Sequence, residues 1–361
     1  MRLMLMLALL LLPSLPDARA ASVETGTLAG AGYRVDMPEP WNHGLIVFFH
    51  GTWERMGEFS DSEPLPGFLQ TLADRGYAVI QSAYAQPGWA VEQGIDDSER
   101  LRQHFVEVHG TPQQTYALGM SMGGLLVVEA LEARPQVYAG GLSLCGAITP
   151  ADMLFARDFA LRAAFDFYFP GVFGALVPVP ATFRQTDALD ARIERALKDN
   201  PRGAESMRRL SGVWSEASFA DVIAATTSDL RELQQRAGGN PFGNANLVYT
   251  GSLDDAALNL GVKRYQADAR AAAYLSRWYT PNGQLERPLL AVHTTGDPLV
   301  PASSAFDYAL IARRAGHEDL FVQQFVDAEG HCTIGDDRIV RAFDDLVAWT
   351  HGKRPAAGLR H

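Results

Sequence analysis

The chain has 361 residues, of which 47% are hydrophobic, 10% aromatic and 20% charged, which is an ordinary globular composition and argues against a disordered or fibrous protein. Its formal net charge of −11 would repel phosphate backbones, so nucleic acid is not an expected partner and the charge reads most simply as solubility. A chain of this length can bury a large core, either as one α/β domain carrying an insertion or as two domains.

Residues 1–20 read as an export signal. Arg2 gives a positive start, Leu3 to Leu12 form an unbroken apolar run, Pro13 and Pro16 interrupt any helix, and Ala18-Arg19-Ala20 matches an A-x-A cleavage pattern. Cleavage after Ala20 is expected; the alternative is a buried N-terminal helix. The run is too short to serve as a membrane anchor, and no cysteine follows it for lipid attachment. No later segment reads as a membrane span, so the mature chain is expected to be secreted or periplasmic.

Beyond the signal, Gly26 to Met37 contains two β-prone stretches around Ala29-Gly30-Ala31-Gly32, consistent with a hairpin. Leu45 to Phe49 is a continuous apolar run ending at His50-Gly51, the pattern of a strand buried on both faces. A short helix over Pro66–Arg75, a strand over Tyr77–Ile80 and a helix over Val91–Val108 follow. The strand Thr115–Leu118 runs directly into Gly119-Met120-Ser121-Met122-Gly123-Gly124. A helix then covers Leu125–Ala133, stopped ahead of Pro135, and another strand covers Ala139–Ile148. This alternation predicts a parallel sheet with helices on both faces.

The alternation stops over residues 150–287, where the pattern is mostly helical, as in Met153–Tyr168, Asp190–Lys198 and Phe219–Arg236, with one short strand expected at Leu247–Thr250. This stretch is expected to be a helical cap inserted after the sixth strand. Sheet rhythm resumes with a strand over Pro288–His293, a helix over Ala302–Arg314, a strand over Leu320–Val326 and a last helix over Arg338–His351. The basic tail Gly352–His361 is expected to fray.

Gly119-Met120-Ser121-Met122-Gly123 is a G-x-S-x-G pattern set between a strand and a helix, which is where a nucleophile elbow belongs. The sharp turn strains the serine backbone, small flanking residues let neighbouring backbone pass, and the exposed oxygen lies at a helix N-terminus that favours negative charge. The alternative is a glycine-rich turn that packs a helix on a strand. A serine hydroxyl is a weak nucleophile and needs a base, which a carboxylate must hold in one tautomer. Asp297 follows the Pro288–His293 strand and His331 follows the last long strand, giving the order serine, acid, histidine. Other candidates fit less well. Asp254 and Asp255 lie in the cap, Asp336 and Asp337 come after the histidine, and Asp327 shares its loop. His50 and His293 are expected to shape loops, and His43 and His109 to be solvated.

The combination of His50-Gly51, G-M-S-M-G-G, T-G-D-P-L-V-P and E-G-H resembles the α/β-hydrolase superfamily, its esterases in particular, over residues from about 23 to 350 apart from the cap. The resemblance implies a mostly parallel central sheet, with residues 21–149 and 288–361 as two parts of one core around the cap. It also implies an oxyanion hole formed by the N–H groups of Met122 and Thr52. The local sequence is H-G-T-W and not H-G-G-G, so the multi-glycine hole of some lipases is absent and the second donor is left open.

His331-Cys332 resembles a feature of tannases and feruloyl esterases, in which that cysteine bonds to one just ahead of the serine. Met120 occupies that place in this sequence. Cys145, at the end of the next strand, is the remaining candidate, and a Cys145–Cys332 disulfide bracing the His331 loop is one expectation, two buried free thiols the other. Within the cap, Phe155, Phe159, Phe165, Phe167, Tyr168, Phe169 and Phe173 form either the cap's own core or a greasy pocket. Trp53 and Trp89, on loops, are candidate substrate contacts. No HExxH, CxxC, Walker or dinucleotide pattern is present, so no metal and no cofactor are expected. The expected activity is hydrolysis of a carboxylic ester, small or polymeric, through an acyl-enzyme on Ser121. The alternatives are a peptidase or a C–C (β-diketone) hydrolase on the same residues, and a non-catalytic binding protein on a hydrolase fold.

Overall fold

A strand such as Leu45–Phe49 has no polar face to offer water, so it must be covered on both sides. The computed structural model does this with a nine-stranded sheet between helices; it describes residues 22–53, 55, 57–212, 216–278 and 280–360. The expected export signal lies outside the described residues. In chain order the first part is β1 (Ser22–Leu28), β2 (Ala31–Met37), β3 (Gly44–Phe49), α1 (Gly67–Asp74), β4 (Ala78–Ser82), α2 (Val91–His109), β5 (Gln114–Met120), α3 (Met122–Ala133) and β6 (Gly140–Leu144). Six helices follow: α4 (Ala151–Tyr168), α5 (Asp187–Asp199), α6 (Pro201–Ser211), α7 (Glu216–Ala237), α8 (Asp255–Gly261) and α9 (Ala269–Trp278). The second part is β7 (Leu289–Gly296), α10 (Ser303–Ala315), β8 (Phe321–Glu329), α11 (Asp336–Thr350) and β9 (Gly358–Arg360).

The strand order is β1-β2-β4-β3-β5-β6-β7-β8-β9. β1 and β2 form an antiparallel hairpin, β2 is antiparallel to β4, and β3 to β9 are mutually parallel. Side chains alternate as the pleat requires. Leu45, Val47 and Phe49 pack in the layer shared with α2 and α3, while Ile46 and Phe48 pack in the layer shared with α1 and α11.

The helical insertion after β6 carries its own apolar interior, continuous with the first of these layers. Phe155, Phe159, Phe165, Phe169 and Phe173 are all buried in it, with Phe167 and Tyr168 packed at its edge. Local signals set its helix ends. Thr186 Oγ1 accepts Leu189 N–H ahead of α5, Asn200 Oδ1 accepts Gly203 N–H ahead of α6 with Pro201 at its first turn, and Asp254 Oδ1 accepts Ala257 N–H ahead of α8. Polar contacts seat the insertion on the loop after β4. Glu232 Oε1 accepts the Trp89 N–H at 2.8 Å, Arg236 donates to Pro87 O at 2.6 Å, and the Trp89 ring meets Phe155 edge-on.

Three local expectations are corrected. Leu247–Thr250 is not a strand, because the Asn259 side chain binds both Tyr249 N–H and Tyr249 O, and Arg264 takes Leu247 O, so these groups have no ladder to join. The tail does not simply fray: Gly358–Arg360 adds as β9 to the open edge of β8. His109 is not solvated; its Nε2 lies 3.3 Å from Glu24, which His104 also approaches.

Helix α3 approaches the sheet closely because of glycine. A Cβ on Gly123 would lie 2.0 Å from Phe49 O and 2.8 Å from His50 O. Gly123→Ala is expected to lower stability by about 3 kcal/mol through forced displacement of β3 from α3. Gly174→Ala, whose new carbon meets only Pro180 at 3.4 Å, should change it little. Paired denaturant-unfolding curves would read the difference.

Candidate active site

Parallel strands bring their C-terminal ends to one edge of the sheet, and the candidate residues sit there. β5 ends at Met120, and Ser121 follows with φ 57° and ψ −123° before α3 begins at Met122. That backbone conformation is costly for any residue with a Cβ. It is held by Ser121 N–H donating to Leu144 O at 3.0 Å and by Gly124 N–H donating to Ser121 O at 2.9 Å. Gly119 permits the fold-back, since a Cβ there would lie 2.2 Å from Gly123 O.

Asp297 follows β7 immediately, and His331 lies two residues past the end of β8. The β7–β8 ladder slips between Thr294 and Gly296, so that β8 carries one extra residue just ahead of both loops. Gly330, at φ 106°, turns the chain, and its N–H and carbonyl are tied to Gly296 O and Thr294 Oγ1.

The result is a continuous hydrogen-bonded line. His331 Nδ1–H donates to Asp297 Oδ2 at 2.7 Å, and His331 Nε2 faces Ser121 Oγ at 2.8 Å. With Nδ1 protonated toward the carboxylate, Nε2 presents its lone pair to the serine hydroxyl. Asp297 Oδ1 accepts the N–H groups of Leu299 and Val300. Burial pushes the Asp297 carboxyl up, but the hydrogen bonds from His293 and His331 outweigh it and hold the group down at about 2.

The loop after β3 passes beside the serine. A Cβ on Gly51 would lie 3.1 Å from Ser121 Cβ and 3.7 Å from Ser121 Oγ, so only glycine fits without displacement. Thr52 follows it on the exposed side, and Met122 is the first residue of α3. The His50 ring is sandwiched between Trp53 at 3.7 Å and Tyr84 at 4.0 Å. Burial lowers its pKa to about 4, so it is neutral.

Trp89 is buried and Trp53 half-buried, each packed against neighbouring rings. Trp53 lies against His50 and the Gly57 backbone, and Trp89, 5% exposed, packs against Phe155 beneath the insertion. Their apolar surfaces are used in holding the loops together. Sequence reasoning did not find Tyr84, whose hydroxyl donates to His50 O at 3.2 Å from a backbone at φ 57°. No motif marks it. It also gave His293 no contact with the acid, although the spacing of four residues to Asp297 was visible.

Cys145 and Cys332 form a disulfide, which joins the end of β6 to the residue after His331. Both cysteines have positive φ, 44° and 60°, and Cys332 Sγ lies 3.6 Å from His331 Nε2. Among the described residues Cys145, His331 and Cys332 bring their ligand atoms within 4.8 Å of one another. The two sulfurs are bonded to each other, so they offer no thiolate to a metal.

The strand order, the position of Ser121 after β5 and the acid and histidine loops after β7 and β8 define an α/β-hydrolase fold. Solved structures agree. The acylaminoacyl peptidase of Pyrococcus horikoshii superposes with a TM-score of 0.51 at 11% identity, covering 94% of this chain and 43% of that one. A puromycin-hydrolysing peptidase of Mycobacterium tuberculosis gives 0.51 at 12%, covering 95% and 41%. The rice cell-wall-degrading esterase LipA of Xanthomonas oryzae gives 0.51 at 14%, covering 89% and 86%. The chain thus spans less than half the length of the two peptidases. At these identities the likeness establishes the fold. No protein-family model matches the sequence, and no curated protein matches it.

The disulfide closes a separation of 187 residues. Unfolded, unreduced protein should show no titratable thiol. The paired change Cys145→Ser with Cys332→Ser is expected to cost about 5 kcal/mol on the loop-closure model, measurable as a lower denaturation midpoint.

Proposed function

We propose that this chain is a serine hydrolase that cleaves a carboxylic ester. The observation that carries the reading is the line from Ser121 Oγ through His331 to Asp297, with spacings of 2.8 and 2.7 Å. In this reading His331 Nε2 takes the Ser121 proton as Oγ attacks the ester carbonyl, and the alkoxide of the tetrahedral intermediate is received by the N–H groups of Met122 and Thr52. His331 then protonates the leaving alcohol, and the acyl group remains on Ser121. Water, deprotonated by His331, attacks the acyl carbon and releases the acid. Asp297 stays ionised throughout and stabilises the imidazolium. Its depressed pKa also supports the fold above about pH 4, a contribution lost as pH falls toward about 2.

An ester is favoured over an amide by two considerations. The sequence motifs resemble esterases, and the esterase from Xanthomonas oryzae is matched over 86% of its own length, whereas the two peptidases are matched over 43% and 41% of theirs. Residues 21–149 and 288–361 act as the catalytic core in this proposal, and residues 150–287 act as a cap that shapes substrate entry. Export is supported by the A-x-A pattern at Ala18-Arg19-Ala20 together with the disulfide, a bond that persists in oxidising compartments.

Ser121→Ala should keep the fold and abolish turnover of p-nitrophenyl esters, and Asp297→Asn should lower kcat on the order of 10⁴-fold. In a panel of esters, peptide amides and β-diketones, esters should turn over fastest. Ser121-dependent cleavage of amides or diketones with no ester turnover would replace the ester reading with one of the alternatives.

A further inference from the structure

The catalytic acid has a second imidazole beside it. His293 lies on β7, four residues ahead of Asp297, and both side chains are sealed from solvent, at 2% and 0% exposure. The two oxygens of Asp297 are divided between backbone and histidines. Oδ1 accepts Leu299 N–H at 3.0 Å and Val300 N–H at 2.9 Å. Oδ2 accepts His331 Nδ1–H at 2.7 Å, and His293 Nε2 lies 3.4 Å from the same oxygen. His293 Nε2 is also 2.8 Å from Val300 O. A carbonyl can only accept, so this nitrogen carries the proton. The N–H therefore points to Val300 O, and Asp297 Oδ2 lies beside it at 3.4 Å from the same nitrogen.

This geometry makes His293 a clamp on the acid turn. Residues 297–300 are otherwise closed by the Asp297 carboxylate accepting two backbone N–H groups, and Pro298 within the turn has no N–H to contribute. His293 joins the carbonyl at the far end of the turn to the strand at its near end, and puts a dipole against the oxygen that His331 uses. An apolar side chain of similar volume would leave Val300 O buried without its donor and would loosen the turn whose N–H groups hold the Asp297 carboxylate.

We propose that His293 is a positioning residue for the catalytic acid: it fixes the 297–300 turn and the orientation of Oδ2, and so sets the His331 imidazole that faces Ser121. The depressed pKa of Asp297, to which His293 contributes, agrees with this. The proposal rests on the reading of Ser121, His331 and Asp297 as the catalytic line. His293 touches no reacting atom, so its loss is expected to appear in kcat and not in ground-state binding.

The test compares His293→Gln, whose amide nitrogen reaches the place of Nε2, with His293→Asn, whose amide falls short, and with His293→Phe, which has no donor. p-Nitrophenyl ester turnover is measured per folded protein, with the low-field imidazole proton of His331 followed by NMR. Gln is expected to retain most of kcat and the resonance. Asn and Phe are expected to lower kcat by on the order of ten- to a hundredfold with KM unchanged, and to lose or shift the resonance. If Phe fails to fold, the Gln and Asn pair decides. Wild-type kcat and an unchanged resonance in His293→Asn, with turnover still abolished by Ser121→Ala, would overturn the positioning role alone. Turnover that survives Ser121→Ala would overturn the catalytic reading beneath it.

Discussion

Ser121 Oγ, His331 Nε2 and Asp297 Oδ2 are separated in sequence by up to 210 residues, yet they form one hydrogen-bonded line. In the proposed role, a proton passes along such a line only when the heavy atoms come within about 2.6–3.2 Å of each other. What places the three groups is the common direction of β5, β7 and β8, which lay their C-terminal ends along one edge of the sheet. Cross-strand bonds then lock the ends together. Ser121 N–H binds Leu144 O at the end of β6, Cys145 N–H binds Val292 O on β7, and Gly330 N–H binds Gly296 O across β7 and β8. The site is therefore held by a row of backbone contacts perpendicular to the strands, with the side chains hung from it.

Holding the site this way has a conformational cost. Ser121, Cys145, Cys332 and Tyr84 all adopt positive φ, which non-glycine residues avoid unless their surroundings impose it. Each is constrained from outside: Ser121 by α3 and β6, the two cysteines by their mutual bond, and Tyr84 by its ring against His50 and its hydroxyl on His50 O. The disulfide reaches the histidine loop from the neighbouring strand β6 and not from the position ahead of the serine, where Met120 stands. The helical insertion is fastened by Glu232 and Arg236 to the loop after β4, the same loop whose Gly88 N–H binds Trp53 O in the loop after β3.

Much of this was legible in the sequence because the relevant signals are short-range or categorical. The all-apolar run Leu45–Phe49 has the pattern of a strand buried on both faces, and the structure places it so. G-x-S-x-G between a strand and a helix, followed by Asp297 and His331 each just past a strand, pointed to one edge of the sheet, where the structure brings the three side chains together. The rest depended on tertiary partners that local pattern does not encode. Leu247–Thr250 has strand-forming residues, but the Asn259 amide and Arg264 claim backbone groups there. The tail looked free because nothing local announces that β8 has an open edge. Trp53 and Trp89 looked like substrate contacts because loops are usually exposed, whereas His50, Gly57 and Phe155 occupy the faces described above. His293 was read as a loop-shaping residue, and only three-dimensional proximity revealed that it shares an oxygen with His331.

The most direct measurement is covalent trapping of the proposed nucleophile, Ser121. A fluorophosphonate phosphonylates a serine, with loss of fluoride, when a neighbouring base activates the hydroxyl. After treatment of the native protein, peptide mass spectrometry should find one adduct, on Ser121, absent from denatured protein and abolished by His331→Ala. A native protein that remains unlabelled at Ser121, or that labels it equally well without His331, would contradict the account.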